Sequence, residues 1–278
     1  MNTKHHQKWA ALAVAPLLVF ASSAYSQQSS TNGTQNTLGQ VAPAKQVYGH
    51  QVMSSDNQKI GNLNNLVVDL ESGRILYGVL ADGNNRVAVP PEIFTQTSPA
   101  NNELRLSATK QKVDGAPKFG PVDKPGQWGS AAFVSQVYSY FGQNPWWQGS
   151  APANVGSFND VHKANQVAGM KVNNVNNAPI GTVKDIAVDL PAGRVVVLTL
   201  APDSSLNLGN NLYPMPPQAF TLSHDQKNLV SNIDAAKLAG APHFTADNWP
   251  NLSDQNYVSQ IYQYYGKQPW FGTQPTGR

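Results

Sequence analysis

The chain has 278 residues and carries 19 Lys and Arg against 16 Asp and Glu, a formal charge of +3. It contains no cysteine, which excludes disulfides, thiolate metal sites, cysteine catalysis and a lipidated N-terminal Cys. Charged residues make up only 13% and apolar residues 40%, so the chain is weakly charged yet apolar enough to build a core.

The N-terminus reads as an export signal. Lys4 and Lys8 precede an apolar run from Trp9 to about Ala21, and the small residues Ala24 and Ser26 stand at −3 and −1 of an expected cleavage after Ser26. Pro16 interrupts the run, which falls short of the roughly 20 residues a spanning helix requires. Cleavage would remove two lysines and no acid, leaving a charge of +1. That excludes a strongly basic nucleic-acid binder, and no stable membrane insertion is expected after cleavage. Residues 27–45, rich in Gln, Ser, Thr and Asn, read as a flexible leader.

Beyond the leader the chain is written twice. Ile60-Gly61, Val68-Asp69-Leu70 and Gly73-Arg74 recur 120 positions on as Ile180-Gly181, Val188-Asp189-Leu190 and Gly193-Arg194. Pro90-Pro91 with Phe94 returns as Pro216-Pro217 with Phe220, so the second copy holds six extra residues after Ala201. Gly115-Ala116-Pro117 matches Gly240-Ala241-Pro242. Each copy ends in an aromatic tail, Trp146-Trp147 or Trp270-Phe271. The expected organisation is a signal at 1–26, a leader at 27–45, one domain at 46–149, a linker at 150–163, a second domain at 164–272 and a tail at 273–278.

Each copy opens with strands. Leu66, Val68 and Leu70, and again Ile186, Val188 and Leu190, alternate as the buried face of an extended segment. Asp69 to Arg74 and Asp189 to Arg194 read as tight hairpins, in which Gly73 and Gly193 supply the positive φ. The runs Ile75 to Leu80 and Val195 to Leu200 are apolar throughout, which predicts a strand buried on both faces. A shorter strand stops at each double proline, and another lies near Leu104 or Leu229. A helix follows in each copy. Ser253 is the expected cap of the second, whose stripe is Tyr257, Val258, Ile261, Tyr262 and Tyr265, with Gly266 at its end. Ser130, Phe133, Val134, Val137, Tyr138, Phe141 and Gly142 repeat the design. A barrel of some 60 residues buries only about 60% of its chain's surface, so helix and tail are expected to enlarge its core.

The segments Ile60-Gly61, Val67 to Arg74 and Val87 to Pro90, repeated in order in the second copy, resemble the PRC-barrel domain, named from the H subunit of the photosynthetic reaction centre and found also in ribosome maturation factors. The resemblance covers roughly residues 46–107 and 166–232. It implies a mainly β fold with short helices: two tandem, small, partly open barrels, each followed by a helix and an aromatic tail. It also implies a non-enzymatic docking module. The helices and tails look like the extensions of secreted bacterial members.

The candidate chemistry is thin. His50, His162, His224 and His243 lack ligand spacing, no G-x-S-x-G elbow occurs and no EF-hand loop follows Asp56. We therefore expect no catalytic residue, no metal and no cofactor. Asp69, Gly73, Arg74, Asp189, Gly193 and Arg194 read as structural turn residues, each Asp bonding its turn or pairing with the Arg across it. Trp146, Trp147, Trp270 and Phe271, with Trp128 and Trp249, either cap their own barrel or form a binding platform. The resulting expectation is a periplasmic or secreted module that binds or scaffolds another envelope protein. The alternative is an envelope glycan binder using the Trp tails, and the third reading is a hydrolase.

Overall fold

In the first repeat, β1 (Val41–Pro43) leads into α1 (Ala44–Val47), followed by β2 (Gln51–Met53), β3 (Lys59–Asp69), β4 (Arg74–Asp82) and β5 (Asn85–Val89). A 3-10 turn at Pro91–Ile93 precedes β6 (Phe94–Ser98), β7 (Glu103–Leu106), α2 (Lys110–Asp114), β8 (Lys118–Phe119) and α3 (Ala131–Tyr140). The second repeat runs β9 (Val161–Lys163), α4 (Ala164–Val167), β10 (Lys171–Asn174), β11 (Pro179–Asp189), β12 (Arg194–Pro202) and β13 (Asn211–Met215). It continues with a 3-10 turn at Pro217–Ala219, then β14 (Thr221–Leu222), β15 (Leu229–Ser231), α5 (Ala235–Ala239), β16 (Phe244–Thr245) and α6 (Gln255–Tyr264). The lengthened segment after Ala201 contains a 3-10 turn at Ser204–Leu206, in which the Ser205 amide donates to the Asp203 carboxylate at 3.0 Å. This computed structural model describes residues 37–83, 85–98, 102–119, 129–147, 158 and 161–272. The expected signal, Trp128 and the tail at 273–278 lie outside them, as do most of the leader and most of the linker.

Both repeats have one topology. β2, β3, β4 and β5 form an antiparallel meander, β7 adds in parallel to β2, and β6 pairs with β7. β10 to β13, β15 and β14 repeat this order. Among the described residues β6 and β14 end their paths unpaired on the far side, so each barrel is partly open. The Ile-Gly motif has a steric origin: a Cβ at Gly61 or Gly181 would collide with the carbonyl of Ala81 or Ala201 on the neighbouring strand. Only glycine lets the long strands approach there.

The doubly apolar strand is buried on both faces. Ile75 and Leu80 of β4 join the barrel interior, whereas Leu76, Tyr77 and Val79 meet Val134, Val137 and Tyr138 of α3. The helix therefore roofs the outer face of its own barrel. Ser130 caps α3, accepting from the Phe133 amide. In α6 the cap is Asp254, not Ser253, with Oδ1 at 2.9 Å from the Asn256 amide. Ser253 is engaged elsewhere, by the first repeat.

The repeats exchange their leading segments. β1 pairs with β11 of the second repeat, Val41 opposite Asp189 and Pro43 opposite Ala187. β9 pairs with β3 of the first, Val161 opposite Asp69 and Lys163 opposite Val67. Residues 41–45, expected in a flexible leader, and 161–163, expected in the linker, are thus strand and helix, because each meets an unpaired edge on the other repeat. At the centre the Ile75 amide donates to the Gly193 carbonyl and the Val195 amide to the Gly73 carbonyl, both at 3.0 Å. Arg74 lies opposite Arg194 in that pairing. One apolar cluster runs through both barrel interiors, and the described residues fall in a single compact unit.

Candidate functional site

The two hairpins meet at the centre of this exchange, and most residues singled out in the sequence lie there. Gly73 has φ 64° and Gly193 φ 63°, as tight turns require. Both also sit against the other repeat: a Cβ on Gly73 would lie 3.1 Å from Pro217 Cγ, and one on Gly193 3.0 Å from Pro91 Cγ.

Asp69 and Asp189 are buried, at 3% and 1% exposure. Asp69 Oδ2 accepts from the Ser72 amide at 3.1 Å and from the Ser72 hydroxyl. Asp189 accepts from the Ala192 amide at 3.2 Å and from the Gly39 amide of the exchanged segment at 2.6 Å. Burial raises the Asp189 pKa above its ordinary range, and the two amide bonds oppose that shift.

The arginines turn to the tails. The Arg74 guanidinium lies over the Trp146 ring at 4.9 Å from its centroid, and Arg194 over Trp270 at 4.8 Å. Such stacking stabilises by about 0.5–2 kcal/mol, more as water is excluded. Glu92 stands near Arg74 and accepts from the Tyr138 hydroxyl at 3.4 Å. Burial raises the Glu92 pKa and lowers that of Arg74. In the second repeat Gln218 takes the place of Glu92. Arg194 therefore lacks that carboxylate, and burial, then the positive Arg74 nearby, lower its pKa to about 10.

The tails pack on their own barrels. Trp146 meets Trp147 edge-on at 4.3 Å between centroids, with Phe158 at 5.7 Å and Tyr138 at 6.4 Å. Phe271, 1% exposed, packs against Tyr262 and Trp270. Trp249 packs against Phe244 at 4.9 Å. One face of Trp146 and one of Trp270 is thus taken by an arginine.

His50 is buried, His162 lies in β9, and His243 bonds the Ala241 carbonyl at 2.9 Å through Nδ1. Among the described residues no three His, Cys, Asp or Glu side chains converge as a metal site. Sequence reasoning missed the exchanged segments, although Ala44 and Gln46-Val47 return as Ala164 and Gln166-Val167 at the same 120-residue spacing.

An antiparallel meander extended by a parallel strand, built twice around buried hairpins, defines a duplicated small β-barrel protein. The PRC-barrel domain family matches residues 41–111 and 159–227, just over half of the chain, and the protein belongs to that family. Both matches include the exchanged segments. No curated protein matches the chain.

Proposed function

We propose that the protein is an exported, non-catalytic PRC-barrel module that binds or scaffolds another protein of the cell envelope, acting in the periplasm or outside the cell. The basic start, short apolar run and Ala24-Tyr25-Ser26 site support export. Among the described residues no helix is long and apolar enough to cross a membrane.

The observation that carries the binding role is the exchange of β1 and β9, which fixes two near-equivalent barrels as one body. A partner with repeated features gains avidity from two sites at a set spacing, with no linker entropy to lose. Among the described residues the outer edges of β6 and β14 are unpaired, and they are backbone surfaces to which an extended partner segment can add. The absence of a catalytic role is supported by the use of the candidate acids. Asp69 and Asp189 turn oxygens to their own hairpins, and Arg74 and Arg194 stack on tryptophans. An arginine already covers one face of Trp146 and one of Trp270, which leaves less open ring for a sugar.

In-cell crosslinking of the mature protein, followed by identification of the captured species, tests this reading. A reproducible envelope protein supports it. Capture of glycan alone, or turnover on a hydrolase panel that is lost in Asp69→Asn or Asp189→Asn, overturns it. N-terminal sequencing of exported protein should begin at Gln27; retention in the cytoplasm would defeat the export reading.

A further inference from the structure

We propose that the second repeat carries a binding site for a small phosphate-bearing anion, in the cleft between β9, the α4–β10 turn and the β14–β15 loop. The cleft has a volume of about 480 Å³, and its polar walls come from His162, Gln166, Lys171, Gln226, Lys227 and Asn228. No carboxylate among the described residues lines it. Among the described residues neither Lys171 nor Lys227 makes an ion pair within 4.0 Å, although Lys171 stands close enough to Asp203, and Lys227 to Asp225, for its charge to be felt there. The buried Nε2 of His162 has no hydrogen-bond partner among them. Two ammonium groups, an imidazole nitrogen and three carboxamides offer more donors than the two oxygens of a carboxylate accept. A phosphate, with three terminal oxygens and up to two charges, matches them better.

The nearest acids, Asp225 and Asp203, are held by hydrogen bonds within their own loops and keep their charge beside the lysines. Asp225 accepts from the Ser223 hydroxyl at 2.6 Å and the Lys227 amide at 3.2 Å, while Asp203 accepts from the Ser205 hydroxyl at 2.7 Å and its amide at 3.0 Å. The Ser223 amide closes the β14–β15 loop onto the Asn228 carbonyl at 2.9 Å. The wall is therefore held in place before any ligand arrives.

The first repeat provides an internal comparison. β10 and β15 pair Val172 with Leu229, as β2 and β7 pair Val52 with Leu104. On that register Lys171 corresponds to Gln51, Lys227 to Asn102, Asn228 to Glu103 and His162 to Ala42. At the corresponding described positions the first repeat thus has neither lysine, and it adds a carboxylate. The barrel itself does not require the positive charge.

The test uses the mature full chain at fixed ionic strength, titrated calorimetrically with inorganic phosphate and with glycerol 3-phosphate. The variant Lys171→Gln/Lys227→Asn installs the first repeat's own residues. The proposal expects saturable binding of at least one probe, weakened at least about tenfold in the variant, with the unliganded melting temperature unchanged. Equal affinities identify free phosphate as the ligand chemistry, and tighter glycerol 3-phosphate identifies a phosphorylated organic molecule. No saturable binding of either probe, or equal binding by the variant, overturns the proposal. A second variant, His162→Ala, keeps the test informative if the double variant melts early: unaltered affinity there would likewise reject the site.

Discussion

The Val41 amide donates to Ser253 Oγ at 2.9 Å, joining residues 212 positions apart. Val41 opens the first repeat, and Ser253 immediately precedes the α6 cap of the second. With β1 on β11, β9 on β3 and Gly39 on Asp189, this bond makes the chain an internal dimer whose halves each complete the other.

A cut in the connection should therefore not release the halves. With a protease site inserted between residues 151 and 155, we expect two fragments that co-elute at the intact size in native buffer and separate in denaturant. Separation in native buffer would show that the exchanged strands do not hold the repeats together.

The tails should act as core. Trp270→Ala removes the ring under Arg194 and the partner of Phe271, at an expected cost of about 2–4 kcal/mol, toward the lower end of buried Trp truncations. For an ordered chain of this size that lowers Tm by roughly 5–10 °C in calorimetry. Trp146→Ala should behave likewise through Arg74. An unchanged melt with loss of partner binding would instead make the tails a recognition surface.

Gly61→Ala and Gly181→Ala place a methyl against a strand carbonyl, and at Gly61 the φ of 155° adds to the cost. Each should destabilise by about 1–3 kcal/mol or more, since neither long strand can move without its neighbours. Denaturant melts of both variants check this. Gly83→Ala, also at positive φ but with no atom within 4 Å of the added Cβ, separates the clash from backbone strain.

Asp185 tests the cost of buried charge. It is 6% exposed, and burial raises its pKa above the ordinary 3.8, against bonds from the Ile186 and Lys45 amides and the Lys45 charge. A carboxyl with a raised folded pKa holds more protons folded than unfolded. Its contribution is thus greatest below the unfolded value and is lost as pH rises through the folded one. The first repeat has Asn65 at this position, accepting from the Leu66 amide at 2.9 Å and the Asn165 amide at 3.4 Å. Asp185→Asn should therefore match or exceed the parent Tm at neutral pH, with any advantage fading toward about pH 4. A variant less stable at every pH would show that the carboxylate is needed as such.

Much of the barrel was legible because it rests on local rules. Alternation marked β3 and β11, continuous apolar runs marked the doubly buried β4 and β12, and Gly73 and Gly193 marked hairpins whose φ permits little else. The candidate site was legible by residue but not by partner. Asp69 does bond its turn, whereas Arg74 faces Trp146, a residue 72 positions away that no spacing rule connects to it.

Residue order alone determined the duplication, the small-barrel family and the helix-plus-tail extension of each copy, because periodicity and turn chemistry act over a few neighbouring positions. Tertiary structure alone decided that three-residue strands at 41–43 and 161–163 cross to the opposite repeat, and that two barrels share one core. A strand so short carries too little pattern to specify its partner. Its place is set by which sheet edge remains unpaired once the longer strands have assembled.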